Sequence, residues 1–238
     1  MTGMRKAVVI TAVVLLVAGI GVLGLYQLTN SRTYQLFGEL VHRVETQEKV
    51  VALTLDDGPT DLAPEVLRGL AELRAPATFY LNGNDLAARP ELGKQIRAAG
   101  HELGNHSYSH QRMALVGPEF VRREVEDTDR ELRAAGQDGE ITFRPPFGKK
   151  LWTLPSYLAE HDRVTVMWDV EPDSGVDHDA ATIVRNTLEQ TRPGSIILMH
   201  VMYPGRARSR AAIPGIVTGL REQGYRFVTV SELLKLRK

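Results

Sequence analysis

From residue 50 onward the chain alternates short, β-branched apolar runs with amphipathic segments, and this alternation constrains the fold more than any other feature. Strand-like runs fall at 50–55, 77–81, 101–104, 141–144, 163–169, 195–199 and 226–230. Between them, helical spacing predicts helices at 62–74, 90–99, 118–135, 152–160, 180–190, 211–223 and 231–236. Pro90 and Pro118 open two of these, Gly100 and Gly136 close the same two, and Ser231 is the expected N-cap of the last. Such an order gives a parallel sheet with right-handed crossovers, opened flat or closed into a barrel. Residues with chemical potential end the first, third, fourth, fifth and sixth runs. A barrel lets every strand contribute to one site, whereas an open sheet gathers ligands at a switch point, so closure is favoured.

Ahead of this domain, expected to span 49–238, lies a different kind of sequence. Residues 7–26 are almost wholly apolar and follow Arg5 and Lys6. About 20 such residues cross a bilayer as a helix, and the positive flank holds the N-terminus inside. The run exceeds the h-region of a signal peptide, and no Ala-x-Ala-like site follows Leu28. Residues 1–28 are therefore expected to form a signal anchor in the cytoplasmic membrane, with the domain outside; cleavage and secretion is the alternative. Residues 29–48 are polar and read as a stalk or short helical lead-in. Lysine plus arginine equals aspartate plus glutamate, 29 each, which argues against a nucleic-acid partner. With no cysteine, disulfides and thiolate metal sites are excluded. No obligate protein partner is implied.

The first run closes in Thr54-Leu55-Asp56-Asp57-Gly58-Pro59, two carboxylates at a strand's C-terminal end followed by a turn. After the third come His106 and His110, four apart, so both imidazoles can reach one ion from a helical turn or tight loop. Two histidines and one carboxylate leave open positions for water and substrate, as a hydrolytic metal requires. The fourth run ends in Arg144-Pro145-Pro146-Phe147, whose prolines hold an extended backbone. Arg144 there can clamp a carboxylate bidentately. The fifth ends at Trp168, Asp169, Glu171 and Asp173, the sixth at Leu198 and His200. A histidine at the edge of a metal site suits a general acid.

These five segments, in this order, resemble the motifs of the polysaccharide deacetylases of carbohydrate esterase family 4, over residues 49–230. The resemblance implies an α/β fold, a distorted seven-stranded (β/α) barrel, and a divalent metal, most often Zn2+, on Asp57, His106 and His110. It assigns Asp56 as general base, His200 as general acid, Arg144 as the group orienting Asp56, and the Phe147 N–H as oxyanion donor. Trp168 and Leu198 would shape the acetyl pocket. An acid among Asp169, Glu171 and Asp173 would support His200, with Asp173 taken first. Three departures stand out: Leu55 precedes the aspartates where an aromatic is common, Phe147 replaces a frequent tyrosine, and Ser174 follows Asp173 where the family often has tryptophan.

The activity implied is hydrolysis of N-acetyl groups on an envelope polysaccharide, peptidoglycan-like or chitin-like. Alternatives are an amidohydrolase or O-acetyl esterase on another acylated molecule, and a catalytically silent glycan-binding module. His42, His101, His161 and His178 are expected to be structural or solvated, and the Arg206–Arg210 cluster is a candidate for contact with an anionic glycan.

Overall fold

A computed structural model of the chain describes residues 2–175 and 178–237. It opens with α1 (Thr2–Asn30), whose large apolar side chains from Val8 to Tyr26 are exposed. The stretch Arg5–Asn30 is long and apolar enough to cross a membrane. The segment read as a stalk is partly built into the sheet instead. Strand β1 (Leu40–Val41) pairs in parallel with a later strand, and Arg43 bridges Ser195. Its apolar residues explain the docking, since Val41 and Val44 are buried.

The domain continues through β2 (Val50–Asp56), α2 (Ala63–Glu72), β3 (Thr78–Leu81), α3 (Gly83–Ala88), α4 (Pro90–Ala98), β4 (Glu102–Asn105) and α5 (Pro118–Ala134). It ends with α6 (Thr153–Glu160), β5 (Thr165–Val166), α7 (Ala180–Gln190), β6 (Ile196–His200), α8 (Ala207–Glu222), β7 (Arg226–Val228) and α9 (Val230–Leu234). Helix α3 has no counterpart in the sequence reading, because six residues are too few to show a helical period. The last helix is capped by Thr229, which forms a capping box with Glu232, so Ser231 is not the cap.

Parallel ladders join β4, β3, β2 and β6 in that order, with β7 also on β2 and β1 on β5. β2 is buried along its whole length and divides its residues by parity. Val51, Leu53 and Leu55 pack with the helices, while Val50 and Ala52 join Tyr80, Trp168 and Leu198 in a second cluster. Asp56, in step with Val50 and Ala52, therefore ends the strand on the face that carries Trp168 and Leu198.

Two expected strands are much reduced. The run 141–144 forms no ladder; Phe143 alone bridges Asn105 on one side and Thr165 on the other. The run 163–169 is regular only at Thr165–Val166, and Val170 then bridges Ile197. The cause lies in the residues that follow: Pro145 and Pro146 remove two N–H donors next to the first run. Beside the second, the Arg144 guanidinium donates to the carbonyls of Val166 and Met167, at 3.2 Å each.

Candidate active site

The C-terminal ends of β2, β4 and β6 meet at one cavity of about 480 Å³. Its lining includes Asp56, Asp57, His106, His110, Phe147, Trp168, Leu198 and His200. A larger cavity of about 710 Å³, beside Glu102 and Val164 where β4 and β5 begin, contains no histidine. Asp56 is the register partner of His200 across the parallel β2 and β6, so the two sit side by side.

Asp56 is held hard. Arg144 Nη1 donates to its Oδ1 at 2.6 Å and to Thr54 Oγ1 at 2.7 Å. The bidentate clamp expected from sequence is absent, because Nε and Nη2 are spent on the backbone carbonyls of β5 and Met167. The guanidinium lies 4.1 Å from the Tyr80 ring. Arg144 is fully buried and acts as a cross-tie between the third motif segment, β2 and β5.

The aspartate and the two histidines come together as a donor cluster. One donor atom each from Asp57, His106 and His110 lie within 4.8 Å of one another. His110 Nε2 is 3.2 Å and His106 Nε2 3.8 Å from Asp57 Oδ1. The histidines do not lie on a helical turn. Ser107 and His110 adopt left-handed φ values of 65° and 56°, and Asp57 and Phe147 do so at 77° and 56°. Four non-glycine residues in that region at one site mark backbone held against its preference by surrounding contacts.

Those contacts are visible. Asn105 Oδ1 accepts from Ser107 N–H at 2.9 Å, and the buried carboxylate of Glu124 accepts from Tyr108 N–H, Ser109 N–H and Ser109 Oγ at 2.7–2.9 Å. Glu124 on α5 had no sequence signal beyond its place in an amphipathic helix. The carbonyl of Arg144 lies 2.8 Å from His106 Nδ1; a proton on that nitrogen leaves the Nε2 lone pair facing Asp57.

The charges fit a cation. Burial holds both His106 and His110 below the ordinary imidazole range against the pull of nearby carboxylates, so both are neutral donors at neutral pH. Burial, reinforced by the neighbouring Asp56, raises Asp57 although His106 opposes it. A bound divalent ion would offset that desolvation, and two imidazole nitrogens with one carboxylate oxygen are a donor set suited to zinc.

On the other wall stands His200. Of the three acids left open by the sequence, Asp173 contacts it: the His200 N–H donates to Oδ2 at 2.7 Å, and Nδ1 lies 3.2 Å from Oδ1. Asp169 instead accepts from Ser195 Oγ and the Ile196 N–H, tying β6 down. Glu171 accepts from the Trp168 indole N–H at 2.8 Å and fixes that ring against the cavity. Burial alone would lower the His200 pKa, but the Asp173 hydrogen bond and the charges of Asp56, Asp173 and Asp57 raise it. Burial works the other way on Asp173, yet its bonds to His200 keep it below the usual carboxylate range. Away from the site, His101 is pushed by burial down to about 4 and accepts from the Ala77 N–H, a structural role.

Asn30, Arg32, Lys149, Ser174 and Arg206 also line the cavity. Of these, Arg206 stood out in the sequence as part of an arginine cluster and Ser174 as a departure from the family pattern; Asn30, Arg32 and Lys149 carried no signal.

A parallel α/β domain carrying a His-His-Asp cluster between an arginine-held aspartate and an aspartate-held histidine defines a class of hydrolytic sites, and comparison with known proteins gives the class its family. Residues 43–166 match the family model described as polysaccharide deacetylase. A peptidoglycan-N-acetylglucosamine deacetylase of Bacillus cereus is 32% identical over 84% of this chain and 95% of its own length. A chitooligosaccharide deacetylase of Sinorhizobium fredii is 33% identical over 78% of the chain and 92% of its own. Among solved structures, a pseudoenzyme of carbohydrate esterase family 4 from Bacillus anthracis superposes with a TM-score of 0.75 at 26% identity, covering 83% of this chain and 69% of that one. The chain belongs to the polysaccharide deacetylase family.

Proposed function

We propose that the chain is a metal-dependent deacetylase that removes N-acetyl groups from N-acetylhexosamine residues of an envelope polysaccharide, held by α1 on the outer side of the cytoplasmic membrane. The observation that carries the reading is the convergence of Asp57, His106 and His110 donor atoms within 4.8 Å, beside Asp56 and His200 in one cavity. Asp56, Asp57, His106, His110 and His200 are all present, which favours this reading over an inert glycan-binding module. The bridges at Phe143, Thr165 and Val170 support reading the sheet as a distorted barrel that gathers strand ends around that cavity.

Asp57, His106 and His110 would hold the ion. A divalent ion held there, zinc by its donor set, would supply polarisation of the acetyl carbonyl and a lowered pKa for an attacking water. Asp56 accepts the proton of the attacking water, with Arg144 fixing Oδ1 so that its other oxygen faces the cluster, 3.6 Å from His106 Nε2. The Phe147 N–H, which meets no acceptor among the described residues, donates to the oxygen that gains charge. Trp168 and Leu198 enclose the acetyl methyl group. His200, kept protonated by Asp173, gives its proton to the departing nitrogen as the amide C–N bond breaks. Water's hydroxyl ends on the acyl carbon, so acetate and a free amine result.

The test is release of acetate from N-acetylglucosamine oligomers and purified wall glycan, with and without chelator. Asp57→Ala is expected to abolish bound metal and lower kcat/KM about a thousandfold, the loss of several kcal/mol of charge stabilisation. Turnover confined to O-acetyl esters, or unchanged by chelator and by Asp57→Ala, overturns the reading.

A further inference from the structure

The mouth of the cavity is joined to the end of the apolar helix. The Thr29 carbonyl accepts from the Lys150 N–H at 3.3 Å, the Ser31 carbonyl from Lys150 Nζ at 2.5 Å, and Asn30 Oδ1 from Lys149 Nζ. Arg32 pairs with Glu171 at 2.5 Å and lies 4.8 Å from the Trp168 ring, the ring that walls the cavity. Lysines at a helix C-terminus meet its negative end, which makes this a favourable seat for α1. Lys149 itself stands 5.9 Å from the ring of Tyr26, the aromatic residue that ends the apolar run. Aromatics in that position sit at headgroup level. Four residues of helix separate Tyr26 from the cavity-lining Asn30, a rise of roughly 6 Å. With α1 in the bilayer, as proposed above, the reacting centre sits close above its surface.

The same mouth carries three cations, Arg32, Lys149 and Arg206. Arg32 is neutralised by Glu171, but Lys149 and Arg206 are bonded only to neutral oxygens, those of the Asn30 side chain and the Asp173 backbone. Among the described residues no carboxylate lies within ion-pair distance of either. One flanks the Phe147 corner and the other the His200 side. A neutral N-acetylhexosamine polymer offers such cations only hydroxyl and carbonyl oxygens, whereas an anion attached to the sugar offers a charge-assisted bond.

We propose that the cleft is built for an N-acylated hexosamine presented at the membrane surface on a phosphate-bearing lipid carrier, with Lys149 meeting the phosphate. This rests on the membrane-anchored deacetylase reading above. A sugar borne in the same leaflet meets a site tethered at headgroup height with a raised effective concentration, an advantage that a wall strand distant from the membrane does not share.

The test uses the full chain with its metal, reconstituted in phosphatidylcholine vesicles. Acetate release is compared on N-acetylglucosaminyl phosphoryl polyprenol in those vesicles, on soluble neutral N-acetylglucosamine tetramer, and on N-acetylglucosamine 1-phosphate. The lipid-borne substrate is expected to show kcat/KM at least about tenfold above the tetramer, as one charge-assisted contact allows. Lys149→Ala should raise KM for the lipid-borne substrate about tenfold with kcat changed by less than about twofold, and Lys149→Arg should restore most of it. Equal or poorer turnover of the lipid-borne substrate, or a KM change for Lys149→Ala that is the same on the tetramer, overturns the proposal. An advantage reproduced in full by the soluble phosphate overturns its membrane part. No turnover of any N-acetylated substrate by metal-loaded protein defeats the deacetylase reading itself, a separate result.

Discussion

Two arginine–carboxylate pairs face the same cavity at nearly the same length, and they are different objects. Arg144–Asp56 measures 2.6 Å with side chains 0% and 3% exposed; Arg32–Glu171 measures 2.5 Å with 47% and 15% exposed. Distance does not separate them, but surroundings do. The inner pair is taken out of water, and its arginine is satisfied by further bonds to Thr54, Val166 and Met167. The outer one keeps its arginine in solvent, where water competes with the carboxylate and salt screens it. His200–Asp173 falls between, with 19% and 0% exposed. The deeper a pair lies, the less it can change without cost, so the inner pair suits a fixed base and the outer a recognition rim.

The sharpest way to break that comparison is Arg144→Met, which leaves Asp56 charged and buried without its partner. Removing one member of a buried pair costs about 3–5 kcal/mol, to be read as a lowered urea midpoint at constant m. A loss comparable to that of a surface pair would show that burial does not govern the inner wall.

Next in size is Asp173→Asn. His200 carries a raised pKa in the fold, so it keeps its proton above the ordinary imidazole range near 6.5 and loses it as pH rises further. The alkaline limb of the pH–rate profile is therefore expected above that range in the native enzyme and at lower pH in the variant, with kcat falling by up to about a hundredfold. In stability the signs oppose: the contribution of His200 is complete below its unfolded pKa and lost on going alkaline, while that of Asp173, whose pKa is lowered, is present above its unfolded value and lost on acidification. An alkaline limb unmoved by Asp173→Asn would detach Asp173 from the proton on His200. The smallest effect belongs to the rim, where Arg32→Ala should change unfolding free energy by no more than about 1 kcal/mol.

Much of the inner wall was legible because its signals are local. Asp56-Asp57-Gly58 ends an apolar run, and parity along a strand fixes which side chains face which layer. His106 and His110 were legible as a pair, but not the loop that aims them, whose left-handed Ser107 and His110 depend on Glu124 from a helix that begins eight residues after His110. The acid beside His200 was legible only through the family resemblance, which put Asp173 first, and not from the residues themselves. Asp169, Glu171 and Asp173 alternate within five residues, and irregular backbone there defeats a parity argument; only the fold turns Asp173 to His200, Glu171 to Trp168 and Asp169 to β6.

The sequence by itself determined the alternation of strands and helices, the apolar span at the N-terminus, the family, and the residues able to bind a cation or move a proton. Those follow from periodicity and residue chemistry, which are properties of neighbouring positions. Tertiary structure alone decided that the ladder thins to single bridges at Phe143, that residues 40–41 leave the stalk for the sheet, and that Asn30, Arg32 and Lys149 come to the mouth of the cavity. These are pairings between segments distant in the chain, from about twenty residues apart at Phe143 to more than a hundred at Asn30–Lys149 and Arg32–Glu171, and no local pattern records them.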